Sequence, residues 1–130
     1  MFLNNLTLEQ KKAFLSVAMK IMKADGRLDA RERDMVEGMR YEMGLWNETV
    51  LPKGFLEELV KPFDTRKSRI ILLLESIALA YSDDDFADEE KKILRQMAIL
   101  FEFNEEEATK IEGWVLRFRT LQQEAVEMFS

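Results

Sequence analysis

The sequence predicts an all-α fold: a single-domain helical bundle of about six to seven helices containing two pseudo-repeated helical hairpins. Three observations lead there. Apolar residues recur at helical spacing along most of the chain, capping signatures stand ahead of these runs, and no segment reads as a strand. The 130 residues, 47% of them hydrophobic, suffice to fill one core, so residues 1–130 are read as one domain.

Thr7 and Gln10 form a capping-box pattern, and Phe14, Leu15, Val17, Ala18, Ile21 and Met22 then follow helical spacing, which predicts a first helix ending near Ala24. Gly26 suits a tight turn because it enters positive φ without penalty. Asp29 with Glu32 is a second capping pattern, opening a helix to about Gly44 and completing the first hairpin. Pro52 suits the first turn of a short helix reaching about Val60, and Pro62 ends it. Asp64 or Thr65 caps a strongly apolar helix to about Ser82; after a second acidic turn another helix runs from about Asp88 to Glu102, completing the second hairpin. Asn104 with Glu107 caps a last helix whose apolar face carries Ala108, Ile111, Trp114, Val115, Phe118, Leu121, Ala125 and Met128.

Composition removes whole classes of chemistry. With no cysteine there is no disulfide, thiolate nucleophile or Cys-based metal site, and with no histidine the commonest acid-base group and transition-metal ligand are missing. The amino-terminal residues lack the pattern of a secretory signal, and Ile70–Tyr81, the most apolar stretch, is interrupted by Glu75 and Ser76 and falls short of the ~20 residues of a membrane span. The expected location is the cytoplasm, with no direct membrane span. Net charge is −6, yet residues 82–107 hold ten acids against three bases, so the rest of the chain is close to neutral. Such a distribution repels phosphate backbones and argues against nucleic acid as a partner, while favouring cations or basic protein surfaces.

Laying the second hairpin on the first with an offset of 58 residues pairs Asp25 with Asp83, Leu28 with Phe86, Glu32 with Glu90 and Met39 with Met97. Only four of 32 aligned positions are identical, so the repeat rests on acids falling at the same point of each turn. The spacing Asp-Gly-x-Leu-x-x-x-Glu matches the back half of an EF-hand loop, but Ile21, Lys23, Leu79 and Tyr81 stand where its first two carboxylates belong, so a true EF-hand is rejected.

The stretch Ala24-Asp25-Gly26-Arg27-Leu28-Asp29-Ala30-Arg31-Glu32, followed by Met35, Val36 and Met39, resembles the signature of the TerB-like tellurite-resistance family. Ser82-Asp83-Asp84-Asp85-Phe86-Ala87-Asp88-Glu89-Glu90, followed by Ile93, Leu94 and Met97, is similar to the second copy that family carries; the resemblance covers residues 10 to about 116. It implies two related helical hairpins with further helices, an acidic surface proposed to bind divalent cations, and a link to tellurite and other chemical stress, often with membrane-associated protein partners and without an established reaction. Relatives also occur fused to J-domain co-chaperones. Asp25 and Glu32 match the first motif, and Asp83 and Glu90 the second. Asp84 stands where the family usually has its turn glycine, and Arg27, Arg31 and Arg33 stand among the first turn's acids, where they can neutralise them.

Residues 83–90 carry six carboxylates with no basic residue among them. Their repulsion favours a bound cation, and without histidine or cysteine the oxygen-preferring Ca2+, Mg2+ and Mn2+ are the sensible choices. The candidate metal ligands are therefore Asp83, Asp84, Glu90, Asp25 and Glu32, with the second turn expected to dominate. Acids in a first helical turn also cap free N–H groups and favour the macrodipole without any ligand, and that reading stands beside the first. Catalysis is not expected, because paired carboxylates need a substrate cleft and these acids fall on turns expected to be exposed. Met19, Met22, Met35, Met39 and Met97 fall at core spacing, and Trp46 is expected to fold back onto the core. Glu75 is either a buried carboxylate or the exposed edge of its helix. Two functions remain: a non-enzymatic, cation-responsive stress module, or a metal-independent helical adaptor presenting an acidic surface to a basic partner.

Overall fold

The computed structural model describes residues 1–22, 29–45, 54–82 and 88–130. Among these, a short 3-10 helix (Leu3–Asn5) precedes α1 (Leu8–Met22), α2 (Ala30–Met43), α3 (Leu56–Leu59), α4 (Arg66–Tyr81), α5 (Asp88–Leu100) and α6 (Glu105–Phe129), with no strand. The all-helical expectation holds. None of these helices is long and apolar enough to cross a membrane.

The offset of 58 residues governs the backbone as well as the acids. Adding it to Leu8 and Ala30, where α1 and α2 begin, gives Arg66 and Asp88, where α4 and α5 begin. The capping boxes follow the same shift. Gln10 N–H donates to Thr7 Oγ1 at 3.2 Å, and Ser68 N–H donates to Thr65 Oγ1 at 3.1 Å. At the far ends, Leu45 N–H reaches Arg40 O at 2.8 Å and Phe103 N–H reaches Ala98 O at 2.9 Å. These are the long bonds of two Schellman caps, each turning on a left-handed residue: Gly44 at φ 74° and Glu102 at φ 60°. Local chemistry so alike at four helix ends is what makes the two hairpins structural copies, despite their few identities.

The copies pack through their first helices. α1 lies against α2, α3, α4 and α5, and α4 against α1, α5 and α6, so α1 and α4 form the centre. Leu15 and Leu73, equivalent in the two halves, are both buried there. Residues from Ile71 to Ala80 in α4 are buried on nearly every side, which explains why its sequence is apolar all round and not striped. Gln10 fastens α1 to the loop before α4, its Nε2 donating to Pro62 O at 3.0 Å.

Glu75 resolves as a buried carboxylate, 8% exposed. Its partner is neither lysine nor arginine: Oε1 accepts the Phe2 backbone N–H at 2.8 Å and lies 3.0 Å from the Met1 amino group, pinning the 3-10 helix to α4. The short helix departs from expectation. Its N-cap is Phe55, preceded by Gly54 at φ 80°, so the helix starts at Leu56; the left-handed glycine separates it from the Pro52 start that the sequence suggested. Pro52, Trp46, Gly26 and the expected end of α1 at Ala24 lie outside the described residues.

α4 and α6 run in the same direction, since Arg66 at the start of α4 pairs with Glu107 and Tyr81 at its end meets Glu112 and Arg119. Only Val115 of α6 is fully buried; Leu121 and Met128, expected on an apolar face, are exposed. The reason is length: α6 continues for ten residues beyond Arg119, or about 15 Å at 1.5 Å per residue.

Candidate functional site

The copied helix starts bring the first turns of α2 and α5 to one place. Glu32 and Glu90 each occupy the third position of their helices, α2 and α5. The sequence suggests exposed turns for the acids, and for these two the structure corrects that: Glu32 is 6% exposed and Glu90 only 2%. Both line the same small cavity, of about 20 Å³, with Asp29, Arg31, Ser82 and apolar neighbours including Ile21, Met35 and Leu79. A space of that size holds about one water molecule or an ion in its place.

Local chemistry fixes the first glutamate. Glu32 N–H donates to Asp29 Oδ1 at 2.8 Å, and Asp29 N–H donates back to Glu32 Oε1 at 3.1 Å, the reciprocal box expected from the sequence. Capping therefore uses one oxygen of Glu32 while the side chain stays at the cavity wall. Glu90 reaches the wall from the opposite hairpin because α5 begins at the residue equivalent to the start of α2.

Arg31, one of the arginines able to neutralise acids of the first turn, lines the cavity beside Asp29, Glu32 and Glu90. Its Nη2 also donates to Ser82 O at 2.6 Å, capping a carbonyl at the end of α4 and tying the start of α2 to it. Neither this bridge nor the place of Asp29 on the cavity wall had a signal in the sequence beyond the residue types, since both depend on how the hairpins dock.

Of the five expected ligands, the structure brings Glu32 and Glu90 together; Asp25, Asp83 and Asp84 lie outside the described residues. Among the described residues no group of three or more acidic side chains is placed to hold a metal ion. Two carboxylates lining one small cavity repel each other in a medium less polar than water, and positive charge offsets that repulsion, as the Arg31 guanidinium on the same lining does in part.

Among the described residues, the acids of 82–107 do not form one patch. α5 is 13 residues long, about 19 Å at 1.5 Å per residue, and it separates Asp88, Glu89 and Glu90 at its start from Glu102 to Glu107 beyond its end. At the second location Glu107 is already engaged by Arg66 at 2.5 Å. That contact, with the N–H bond at Asn104, holds the Glu107 carboxyl below its ordinary range.

Comparison of the chain with family models, with curated proteins and with solved structures gives no match.

Proposed function

We propose that the protein is a non-enzymatic helical module that takes up one oxygen-preferring divalent cation, Ca2+, Mg2+ or Mn2+, at the joint between its two hairpins. Glu32 and Glu90 supply the inner carboxylates, and Asp25, Asp83 and Asp84 are the further acids of the same turns. The observation carrying this reading is the meeting of two buried glutamates, equivalent in the two halves, at one cavity of about 20 Å³. A cation there would add to Arg31 in offsetting the repulsion between the two glutamates and would join the hairpins. The TerB-like resemblance supplies the context of the proposal: a response to tellurite or other chemical stress, in the cytoplasm, with protein partners that include membrane-associated ones.

The alternative, a metal-independent adaptor presenting one acidic surface to a basic partner, is less favoured because the acids divide between the two ends of α5. Calorimetric titration of Ca2+, Mg2+ and Mn2+ into the protein and into an Asp83→Asn, Glu90→Gln double variant separates the two. The proposal expects heat of binding for at least one cation in the parent chain and its loss in the variant. Flat isotherms for both proteins would sink it.

A further inference from the structure

α6 carries a second pattern, independent of the acidic turns. Ile111, Trp114, Phe118, Leu121, Ala125 and Met128 follow one another at alternating steps of three and four, the heptad spacing of a helix that packs along a partner helix. The first half of this stripe is used within the chain: Trp114 lies 5.9 Å from the Phe2 ring and stacks on Phe118 at 5.4 Å. The second half is not. Leu121 is 61% exposed, Met128 77% and the flanking Phe129 84%, all on the overhang beyond Arg119.

Beside the first half runs an apolar groove of about 500 Å³ between α4 and α6, floored by Phe2, Ile70, Leu74, Ile111 and Trp114. Its rim carries three basic residues, Arg66, Lys110 and Arg117, against one acid, Glu107, which pairs with Arg66, so the rim keeps a positive balance in a chain whose net charge is −6. The overhang has the opposite character: residues 121–129 hold Glu124 and Glu127 and no basic residue.

We propose that the occupant of this groove is the α6 overhang of a second copy of this chain, the two α6 helices packing antiparallel about a two-fold axis. The heptad fixes the register. Setting Ile111 against Met128, Trp114 against Ala125 and Phe118 against Leu121 aligns every stripe residue of one copy with one of the other, as an isologous interface requires. In that register Arg117 of each copy faces Glu124 of the other between the same two layers, flanking the seam where charge selects orientation in paired helices. Among the described residues neither Arg117 nor Glu124 has an ion-pair partner within the chain. Both exposed halves of the stripe and both basic rims are thereby covered at once.

Sedimentation equilibrium of the full chain over a range of concentrations tests this. The expected result is a mass rising from 15.3 kDa toward twice that value. Leu121→Glu with Met128→Glu should leave a monomer of unchanged helical circular dichroism, since both side chains are exposed in the single chain. Arg117→Glu and Glu124→Arg should each weaken association by about tenfold or more, because like charges then meet twice across the two-fold axis. The two changes together should restore it. A monomer at every concentration would overturn the proposal, as would a dimer indifferent to the two single charge reversals, which would mean that the copies meet elsewhere.

Discussion

Glu102 holds a left-handed backbone, φ 60°, at the point where the first hairpin uses Gly44 at φ 74°. An L-residue with a Cβ is strained there by roughly 1–2 kcal/mol, while glycine is not. Glu102→Gly should therefore raise stability by about 1 kcal/mol in chemical denaturation, offset in part by the greater freedom glycine gives the unfolded chain. A fall in stability would show that the Glu102 side chain contributes more than its backbone costs. Ser76 offers a second residue-level test. Its side chain is fully buried and Oγ has no hydrogen-bond partner among the described residues, so Ser76→Ala should leave stability unchanged or raise it by about 1 kcal/mol. Glu75 behaves oppositely: it accepts the Phe2 N–H and faces the Met1 amino group from a buried position, so Glu75→Ala should cost about 2 kcal/mol by leaving those donors without their acceptor.

At the scale of helices, the ends were the most legible part of the chain. Thr7, Asp29, Thr65 and Asn104 all announce their helices through side chains that bond backbone three residues on, an interaction needing no tertiary structure. Asn104→Ala should accordingly cost about 1 kcal/mol. The short α3 was legible only in its existence, because its start depends on Gly54 entering the left-handed region, whereas Pro52 offered the more familiar signal. The sequence shows the apolar stripe of α6 but not where α4 ends beside it, so the exposure of Leu121 and Met128 is invisible there. Arg66 and Glu107 clamp the starts of these two helices, and the depressed Glu107 carboxyl sets the sign of their pH dependence. A carboxyl whose folded pKa lies below its unfolded value stabilises the fold above the unfolded pKa, and that contribution fades as pH falls through the folded value. Carbon-detected NMR titration should find Glu107 titrating at lower pH than an ordinary glutamate, and Arg66→Ala should return it toward the usual range. An unmoved titration in the variant would assign the depression to the helix N-terminus instead.

Across the whole molecule, the offset of 58 residues connects sequence, fold and proposed function. The acids reveal the repeat in the sequence, but four identities give no indication that the starts of α2 and α5 meet at one cavity. That required α1 and α4 to pack at the centre, which carries the starts of α2 and α5 to a common cavity. Burial of Glu32 and Glu90 was hidden for the same reason: a first-turn glutamate looks the same in sequence whether its helix begins at solvent or against a second hairpin. The docking also brings Arg31 to Ser82 O, where it ties the start of α2 to the end of α4. The expected hierarchy, with the second turn dominant and the first secondary, gives way in the proposal to a shared site to which each turn contributes one inner carboxylate.

The most direct test of that shared site is the stoichiometry of cation binding in the parent chain and in the single variants Glu32→Gln and Glu90→Gln, followed by titration calorimetry and by the cation-induced rise in melting temperature. The joint predicts one cation per chain and a loss of at least about tenfold in affinity from either substitution alone, since each removes one of the charges drawn from the two turns. Two independent sites per chain, or binding that survives Glu32→Gln unchanged, would contradict it.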